Sequence, residues 1–239
     1  MTQGLRSELL KLKTTRATWG ILIGAVAIGI VAFVAPGENV VRDLAKPLHE
    51  QQSTFFIGFL LRVLLVVLGV RAITDEWRHG TLTPSLLAMP RRSRFLVVKT
   101  IATAASGIAI TTLATGAMVL TASIYAQISD VPLGTISPYP LAGMVLSGGL
   151  WAAIGVGLGA ILKSQLLATV TGLVWLMAVD DMLRERLGDL AIYLPGQAGL
   201  ALSIAPDTQI WMRAAVTLLA YTLIGLVVGM LLTNRRDVA

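Results

Sequence analysis

DEWRHGTLTPSLLAMPRRSRFLVVK, which occupies Asp75–Lys99, is the longest polar interruption in an otherwise apolar chain. Thr83 is a suitable N-cap for a helix inside this stretch, and Pro84 suits the first helical position, where a missing N–H does no harm. Pro90 ends the helix, because the residue before a proline disfavours helical backbone. The stretch therefore predicts a short helix between two prolines, with charged residues on either side.

Leu86 and Leu87 lie on this short helix, inside a loop that is otherwise polar. One interpretation is a solvated loop that contains leucines by chance. The other is an element that docks a second protein. We favour docking, because a pair of leucines held between charges has no core of its own to join.

The composition defines the class of protein. Charged residues make up 13% of the 239 residues and hydrophobic residues 55%, whereas soluble domains carry about 25% charged residues. The mean hydropathy is +0.78. Because so little charge cannot cover a water-facing surface, we predict an all-α integral membrane protein with one transmembrane domain over residues 1–239. The absence of cysteine excludes disulfides and thiol chemistry.

The apolar runs predict six transmembrane helices, since a span needs about 20 residues. We place the spans at about 17–35, 53–71, 97–127, 139–162, 164–180 and 211–234. The third run is longer than a bilayer requires, so its helix is expected to tilt or to project from the membrane. Lys163-Ser164-Gln165 is predicted to form a tight turn between the fourth and fifth spans.

Two further segments are predicted to lie at the membrane surface. Leu5, Leu9 and Leu12 fall on one helical face before the first span, which indicates an amphipathic helix on the cytoplasmic surface, in contact with lipid. The other interpretation of this segment is a frayed basic tail. Between the last two spans, Pro195-Gly196 interrupts an apolar patch, so this outer segment is expected to re-enter the interface without crossing.

Lysine and arginine are distributed unevenly along this topology. With the N-terminus inside, 13 of the 19 basic residues lie in inner segments and 5 in outer ones, while Arg62 lies within a span. Cytoplasmic segments of membrane proteins carry this excess. We therefore expect both termini in the cytoplasm and the protein in the cytoplasmic (plasma) membrane, and we attribute the net charge of +6 to this bias and not to nucleic-acid binding.

The sequence offers no constellation for catalysis, for a cofactor or for a metal. The two histidines, His49 and His79, lie in loops on opposite sides of the membrane, and H-E-x-x-H and G-x-S-x-G patterns are missing. The segment GLGAILKS departs from the phosphate-loop pattern, because Leu162 and not glycine precedes its lysine. Asp180 and Asp181 are interpreted as the solvated start of a helix in an outer loop.

Arg62 lies near the middle of the second predicted span. A lone guanidinium there costs about 2.5–3.5 kcal/mol on insertion scales, so the side chain is expected to face protein or water. No acidic residue lies at a matching depth in another predicted span. Two interpretations stay open: Arg62 bonds to neighbouring helices, or it lines the translocation pathway.

Pairs of glycines four residues apart indicate close helix contacts. They are Gly20 and Gly24, Gly155 and Gly159, and Gly225 and Gly229. We expect them to pack helices within the subunit.

Several short motifs in the loop and at the N-terminus resemble the membrane subunits of ABC type-2 exporters. The matching residues are Glu76-x-Arg78-x-Gly80-Thr81, Leu86-Leu87-x-x-Pro90, Ser93-Arg94, Lys99 and the opening Glu8–Thr14. The order of spans, surface helix, loop and outer patch resembles the layout of that family along the whole chain.

The resemblance implies a permease subunit that works with a separate ATPase chain, which would bind ATP and Mg. It implies that the short loop helix docks into that ATPase as a coupling helix. The coupling residues would be Glu76, Arg78, Thr83, Leu86, Leu87, Arg91 and Arg94.

The resemblance also implies a second permease subunit, identical or different, facing the first, second and fifth spans, with Ile57 and Trp175 as crosslinking positions. The family resemblance suggests a drug or antimicrobial compound as the substrate class. The alternative function is a membrane interaction or assembly protein without transport.

Overall fold

The computed structural model describes residues 2–34, 45–47, 52–81, 92–134, 138–204 and 207–235, and every regular element in these ranges is helical. The α-helices are α1 Thr2–Thr14, α2 Arg16–Val34, α3 Gln52–Arg78, α4 Arg92–Ile128, α5 Pro138–Leu162, α6 Gln165–Val174, α7 Asp180–Leu187, α8 Pro195–Ile204 and α9 Thr208–Arg235. A π-helical turn, Trp175–Val179, joins α6 to α7, and a 3₁₀ segment, Gly188–Tyr193, leads to α8. The predicted all-α class is confirmed.

Five helical stretches in these ranges are long and apolar enough to cross a membrane. They lie in α3, α4, α5, the continuous stretch Gln165–Tyr193 and α9. The pair α1 and α2, which meet at a bend of 69°, adds a sixth if it is counted as one span. The separate roles of α1 as a surface helix and α2 as the first span stay predictions.

Helix α5 lies at the centre of the bundle and packs against α3, α4 and α9. Its glycines permit this: a Cβ on Gly155 would meet the backbone of Val66 and Gly69 in α3, and one on Gly157 would lie 3.0 Å from the Gly225 carbonyl carbon in α9. Glycine leaves room for the neighbouring backbones to approach closely. The predicted intrasubunit packing is confirmed for Gly155, and it extends to Gly159.

The other predicted glycine pairs differ from one another. A Cβ on Gly229 would contact Ala160 of α5 at 3.0 Å, so this part of α9 is also closely packed. A Cβ on Gly20 would have no atom within 4 Å, and one on Gly24 would meet only the end of the Leu64 side chain.

Helix α4 has 37 residues, which corresponds to about 55 Å, well beyond the ~30 Å hydrocarbon core of a bilayer. Its first turns carry Phe95 and Leu96, which are buried against Ile73 of α3 and Val156 of α5. The additional length is therefore part of the packed bundle. Arg92 Nη1 donates to the Thr233 carbonyl at 2.9 Å, so the start of α4 lies beside the end of α9. We call the end of the bundle where α4 begins and α9 ends the α1 end.

The predicted tight turn between α5 and α6 is confirmed. Lys163 adopts a positive φ of 57°, and the Ser164 side chain accepts a hydrogen bond from the Leu167 N–H at 3.4 Å as N-cap of α6. An N-cap hydroxyl satisfies one of the free N–H groups in the first turn of a helix.

The helical stretch that begins at α6 continues beyond the predicted end of the fifth span at 180. The π turn carries it into α7, and Gly188, with φ of 53°, ends α7. Helix α8 then begins at Pro195 and packs against α3, α5 and α9. At 10 residues, about 15 Å, α8 is too short to cross a bilayer. Its re-entrant position in the outer interface stays a prediction.

Candidate functional site

Four charged side chains from three helices meet at the α1 end: Glu8 and Lys11 of α1, Glu76 of α3 and Lys99 of α4. We call them the four-charge cluster. Lys99 Nζ donates to Glu8 Oε2 and to Glu76 Oε1, each at 2.7 Å. Lys11 Nζ donates to Glu8 Oε1 at 2.8 Å and to Glu76 Oε1 at 3.1 Å. The cluster therefore ties α1 to the two helices that flank the loop at 79–91.

The cluster is largely removed from water. The exposed fractions of Glu8, Glu76 and Lys99 are 2%, 5% and 3%, whereas half of the Lys11 side chain is exposed. Two positive and two negative charges cancel, and hydrogen bonds join the partners, which is the condition for burying charges at tolerable cost. The ring of Phe95 lies 5.2 Å from Lys99 Nζ and adds a cation–π contact.

Burial and neighbouring charges shift the pKa values of Glu8 and Lys11 in α1. Burial by itself would raise the pKa of Glu8, but the charge of Lys99 and hydrogen bonds from Lys11 and Lys99 outweigh it, so the pKa lies below 4.5. Burial likewise opposes the charge of Lys11, yet the Glu8 hydrogen bond and the charge of Glu76 raise its pKa above 10.5. Glu8 and Lys11 are therefore both charged at neutral pH.

Helical spacing explains how the cluster forms. Glu8 and Lys11 are three residues apart and share a face of α1. Glu76 lies in the last turn of α3, and Lys99 lies two turns into α4. Because the two helices run in opposite directions on either side of one loop, these two side chains come to the same level of the bundle.

The predicted coupling residues fall into three groups. Glu76 belongs to the four-charge cluster. Arg78 and Arg94 are exposed on either side of the loop. The other four lie outside the described residues: Thr83, Leu86, Leu87 and Arg91.

The sequence interpretation missed Glu8, Lys11 and Lys99 as members of a site, although all three lie in the motifs that resemble the family. One signal was present for Glu8, since it lies three residues after Leu5 and four before Leu12, on the apolar face of α1. Another was Lys99, a lone cation within the apolar run from Phe95 to Ala105. A charge on an apolar helical face indicates a buried partner.

Arg62, the predicted pathway residue, is buried within the chain, with an exposed fraction of 6%. Its Nη1 donates to the carbonyl of Gly196, in the first turn of α8, at 2.9 Å. Gly199 of α8 also packs closely beside it, since a Cβ there would lie 3.1 Å from Arg62 Cδ. Arg62 thus joins α3 to α8, while its predicted role in translocation stays a prediction.

The interpretation of Asp180 as part of a solvated helix start is wrong. Asp180 continues the helical stretch from α6, and its exposed fraction is 2%. Its Oδ1 accepts from the Gly196 N–H and its Oδ2 from Gln197 Nε2, each at 2.9 Å, so it caps the start of α8. Asp181, by contrast, is exposed, with 63% of its side chain accessible.

Asp180 also changes the surroundings expected for Arg62. The sequence interpretation found no acidic residue available to Arg62 within the subunit. In the folded chain Gly196 binds both side chains, through its carbonyl to Arg62 and its N–H to Asp180. The negative charge of Asp180 is close enough to act on the guanidinium. The fold therefore supplies Arg62 with a buried acidic neighbour.

Comparison with known proteins agrees with this architecture. The family model described as ABC-2 family transporter protein matches residues 4–179, which include the four-charge cluster and Arg62. The chain belongs to the ABC-2 family of transporter proteins. It is a multi-pass membrane protein and a transport component, a permease of an ABC transporter. No curated protein matches the chain.

Proposed function

We propose that the chain is the membrane-spanning permease subunit of an ATP-binding-cassette exporter. A separate ATPase subunit would bind ATP and Mg, and the hydrolysis of ATP would be coupled to export of a substrate. The observation that carries the proposal is the family match over residues 4–179. On family resemblance alone, we propose a drug or antimicrobial compound as the substrate class.

The four-charge cluster supports a route for the coupling. It joins α1 to the end of α3 and the start of α4, the two helices that hold the loop carrying Leu86 and Leu87. A push on that loop by the ATPase would move three helices together, because the buried ion pairs resist separation. Exposed Arg78 and Arg94 would contact the ATPase surface beside the loop.

We further propose that the α1 end faces the cytoplasm and that the protein lies in the plasma membrane. The excess of lysine and arginine in the segments at this end supports that orientation. Two permease subunits, identical or different, would form the translocation pathway between them.

The test is co-purification with an ATP-binding-cassette ATPase expressed together with the chain, followed by ATP hydrolysis in proteoliposomes. Leu86→Asp places a charge in the proposed apolar contact, and Arg94→Glu reverses a charge next to it. Arg186→Glu is the matched control, because Arg186 is also exposed but lies on α7, in the segment predicted to be on the outer side. We expect the first two variants to lose at least tenfold of the bound ATPase and the control to retain it.

Two outcomes contradict the proposal. Equal ATPase recovery with Leu86→Asp and wild type would exclude the loop as the docking element. Failure of the wild-type chain to bind any ATP-binding-cassette ATPase, with no ATP-dependent transport, would favour the membrane assembly function instead.

A further inference from the structure

A cavity of about 390 Å³ opens beside the four-charge cluster, between α1, α2 and α3. Ile21 and Leu68 line its apolar part, and Arg71, Asp75 and His79 line its polar part. Along α3, the lining changes from apolar at Leu68 to charged at Arg71 and Asp75 within two helical turns. Cavities of this size, about 300–1,000 Å³, hold small ligands. A lining that changes from apolar to charged in this way matches an amphiphilic ligand, which has an apolar part and a charged part.

Among the residues that the structure describes, three buried polar atoms of the cavity lining have no hydrogen-bond partner: Arg71 Nε, Asp75 Oδ1 and Glu76 Oε2. Glu76 is itself only 5% exposed. Leaving such atoms unpaired costs about 1–3 kcal/mol each, and more for charged groups. These atoms are enclosed, so a ligand in the cavity meets the accessible parts of Arg71 and Asp75, whose side chains are 33% and 26% exposed. Such a ligand must accept from the guanidinium and donate to the carboxylate.

The charges of the lining select among ligands. Three acidic side chains, Glu8, Asp75 and Glu76, face three basic ones, Lys11, Arg71 and Lys99, so the cavity is close to neutral. A free phosphate ion would bring one or two negative charges, and no positive charge, to a lining that already holds three carboxylates. A zwitterion that carries both an N–H-bearing cation and a phosphate matches both signs.

Other occupants fit less well. Among the residues that the structure describes, no group of three or more His, Cys, Asp or Glu side chains is placed to hold a metal ion. Water alone would bond to the polar atoms but would leave the apolar surface at Ile21 and Leu68 wet, which is unfavourable. An amphiphile covers both parts.

We propose that this cavity binds the headgroup of a phospholipid with a primary amine. The ammonium lies at Asp75, the phosphate lies at Arg71, and the first part of the acyl chains lies against Ile21 and Leu68. The site borders the four-charge cluster but does not include the proposed ATPase contacts at Leu86, Leu87 and Arg94. Lipid binding is measured without the ATPase, so its failure would leave the permease assignment untouched.

Native mass spectrometry of the purified full-length permease, with defined lipids added, tests the site. Phosphatidylcholine is the sharpest comparison for phosphatidylethanolamine, because it has the same phosphate but no N–H donor. We expect at least tenfold preference for phosphatidylethanolamine over both phosphatidylcholine and phosphatidylglycerol. Inorganic phosphate at equal concentration should not displace the bound lipid.

Variants connect the preference to the cavity. Asp75→Asn should reduce phosphatidylethanolamine binding about tenfold, whereas Asp181→Asn, at an exposed carboxylate of α7, should not change it. If Asp75→Asn is poorly folded, Ala72→Leu provides an independent measure, since it adds bulk to the lining and leaves all charges in place. It should cause a similar loss.

The proposal is overturned if phosphatidylethanolamine and phosphatidylcholine bind equally, or if phosphatidylglycerol binds more tightly. It is also overturned if inorganic phosphate displaces the lipid, which would indicate a simple anion site. Unchanged lipid preference in folded Asp75→Asn or in Ala72→Leu would likewise exclude this cavity as the binding site.

Discussion

The ammonium of Lys99 in α4 lies 2.7 Å from the carboxylate of Glu8 in α1, and the side chains are each 3% exposed. The two residues are 91 positions apart along the chain. Because Glu76 of α3 accepts from the same ammonium, a single buried cation holds three helices together at the α1 end. This makes Lys99 the residue whose removal should most affect the docking of α1.

Lys99→Met tests this role. The variant keeps the length of the side chain but leaves two buried carboxylates with only Lys11, whose side chain is half exposed. Removing one partner of a buried ion pair costs about 3–5 kcal/mol, so we expect a clearly lower thermal midpoint in detergent. Lys13→Met, at an exposed position of α1, is the control and should change stability by no more than about 0.5 kcal/mol. Equal midpoints for the two variants would contradict the role of Lys99.

The pH dependence of α1 docking follows from the lowered pKa of Glu8. A carboxyl group whose pKa is lower in the folded than in the unfolded state stabilises the fold above the unfolded value. That stabilisation is lost as the pH falls through the folded value. Since the pKa of Glu8 lies below 4.5, docking should be intact at pH 5–9 and weaken only below 4.5. At high pH, Lys11 continues to stabilise the docking of α1 up to pH 10.5, because its pKa is raised in the folded chain.

A spin label on α1 measures this transition. The chain has no cysteine, and Leu10 is 54% exposed, so Leu10→Cys provides a single labelling position. The label should become mobile below pH 4.5, and Glu8→Gln should remove that step. An identical step in Glu8→Gln would show that another group controls the docking.

Local sequence features account for much of the fold. The positions of the long apolar helices follow from apolar runs, and the turn at Lys163 and Ser164 follows from three polar residues between two such runs. The start of α8 at Pro195 also follows from a local signal, since proline suits the first position of a helix. Such features depend on neighbours in sequence, so they can be identified without the tertiary structure.

The candidate site could be predicted only in part. Glu8 meets Lys99 only after four helices have folded, and Asp180 reaches Gly196 only because a π turn extends its helix. The sequence contains no local sign of that turn, so it predicts a solvated position for Asp180. Long-range pairing of charges depends on how helices pack, which a single sequence does not determine.

Gly155→Ala should destabilise the bundle. A Cβ at this position would overlap the Val66 carbonyl oxygen and lie 3.0 Å from Gly69 Cα, so α3 and α5 would have to move apart. Overpacking of this kind costs about 1–3 kcal/mol. Gly116→Ala is the matched control, because no atom lies within 4 Å of its Cβ position and alanine favours helix over glycine by about 1 kcal/mol. In thermal denaturation, the midpoint should fall for Gly155→Ala and not for Gly116→Ala. A raised midpoint for Gly155→Ala would contradict the packing.

Crosslinking tests the proposed second permease subunit. Ile57 was predicted to be an interface position, but its exposed fraction is 0% and it is buried in the core of its own chain, so it is unsuitable. Met177, in the fifth predicted span, is 63% exposed and should crosslink between subunits as Met177→Cys. Leu231→Cys in α9, 54% exposed, is the control and should not crosslink. Crosslinking of Leu231→Cys without that of Met177→Cys would reverse the assignment of faces.

The contact of Asp180 with the start of α8 yields the last prediction. Asp180→Asn keeps a carbonyl oxygen for the Gly196 N–H but removes the charge near Arg62 and replaces an acceptor for Gln197 by a donor. We expect a loss of about 1–3 kcal/mol in stability, since a buried hydrogen bond is lost and a buried cation loses its acidic neighbour. Asp181→Asn, with the same change at an exposed carboxylate, should alter stability by no more than about 0.5 kcal/mol.

A double-mutant cycle then separates the two interpretations of Arg62. If Arg62 serves to join α3 to α8, Arg62→Met and Asp180→Asn should be strongly non-additive in stability, because each removes part of one buried network. In that case Arg62→Lys should recover part of the loss, and substrate-stimulated ATP hydrolysis should fall only in proportion to folded protein. Additive effects on stability, together with a selective loss of substrate stimulation in Arg62→Met, would instead assign Arg62 to the translocation pathway.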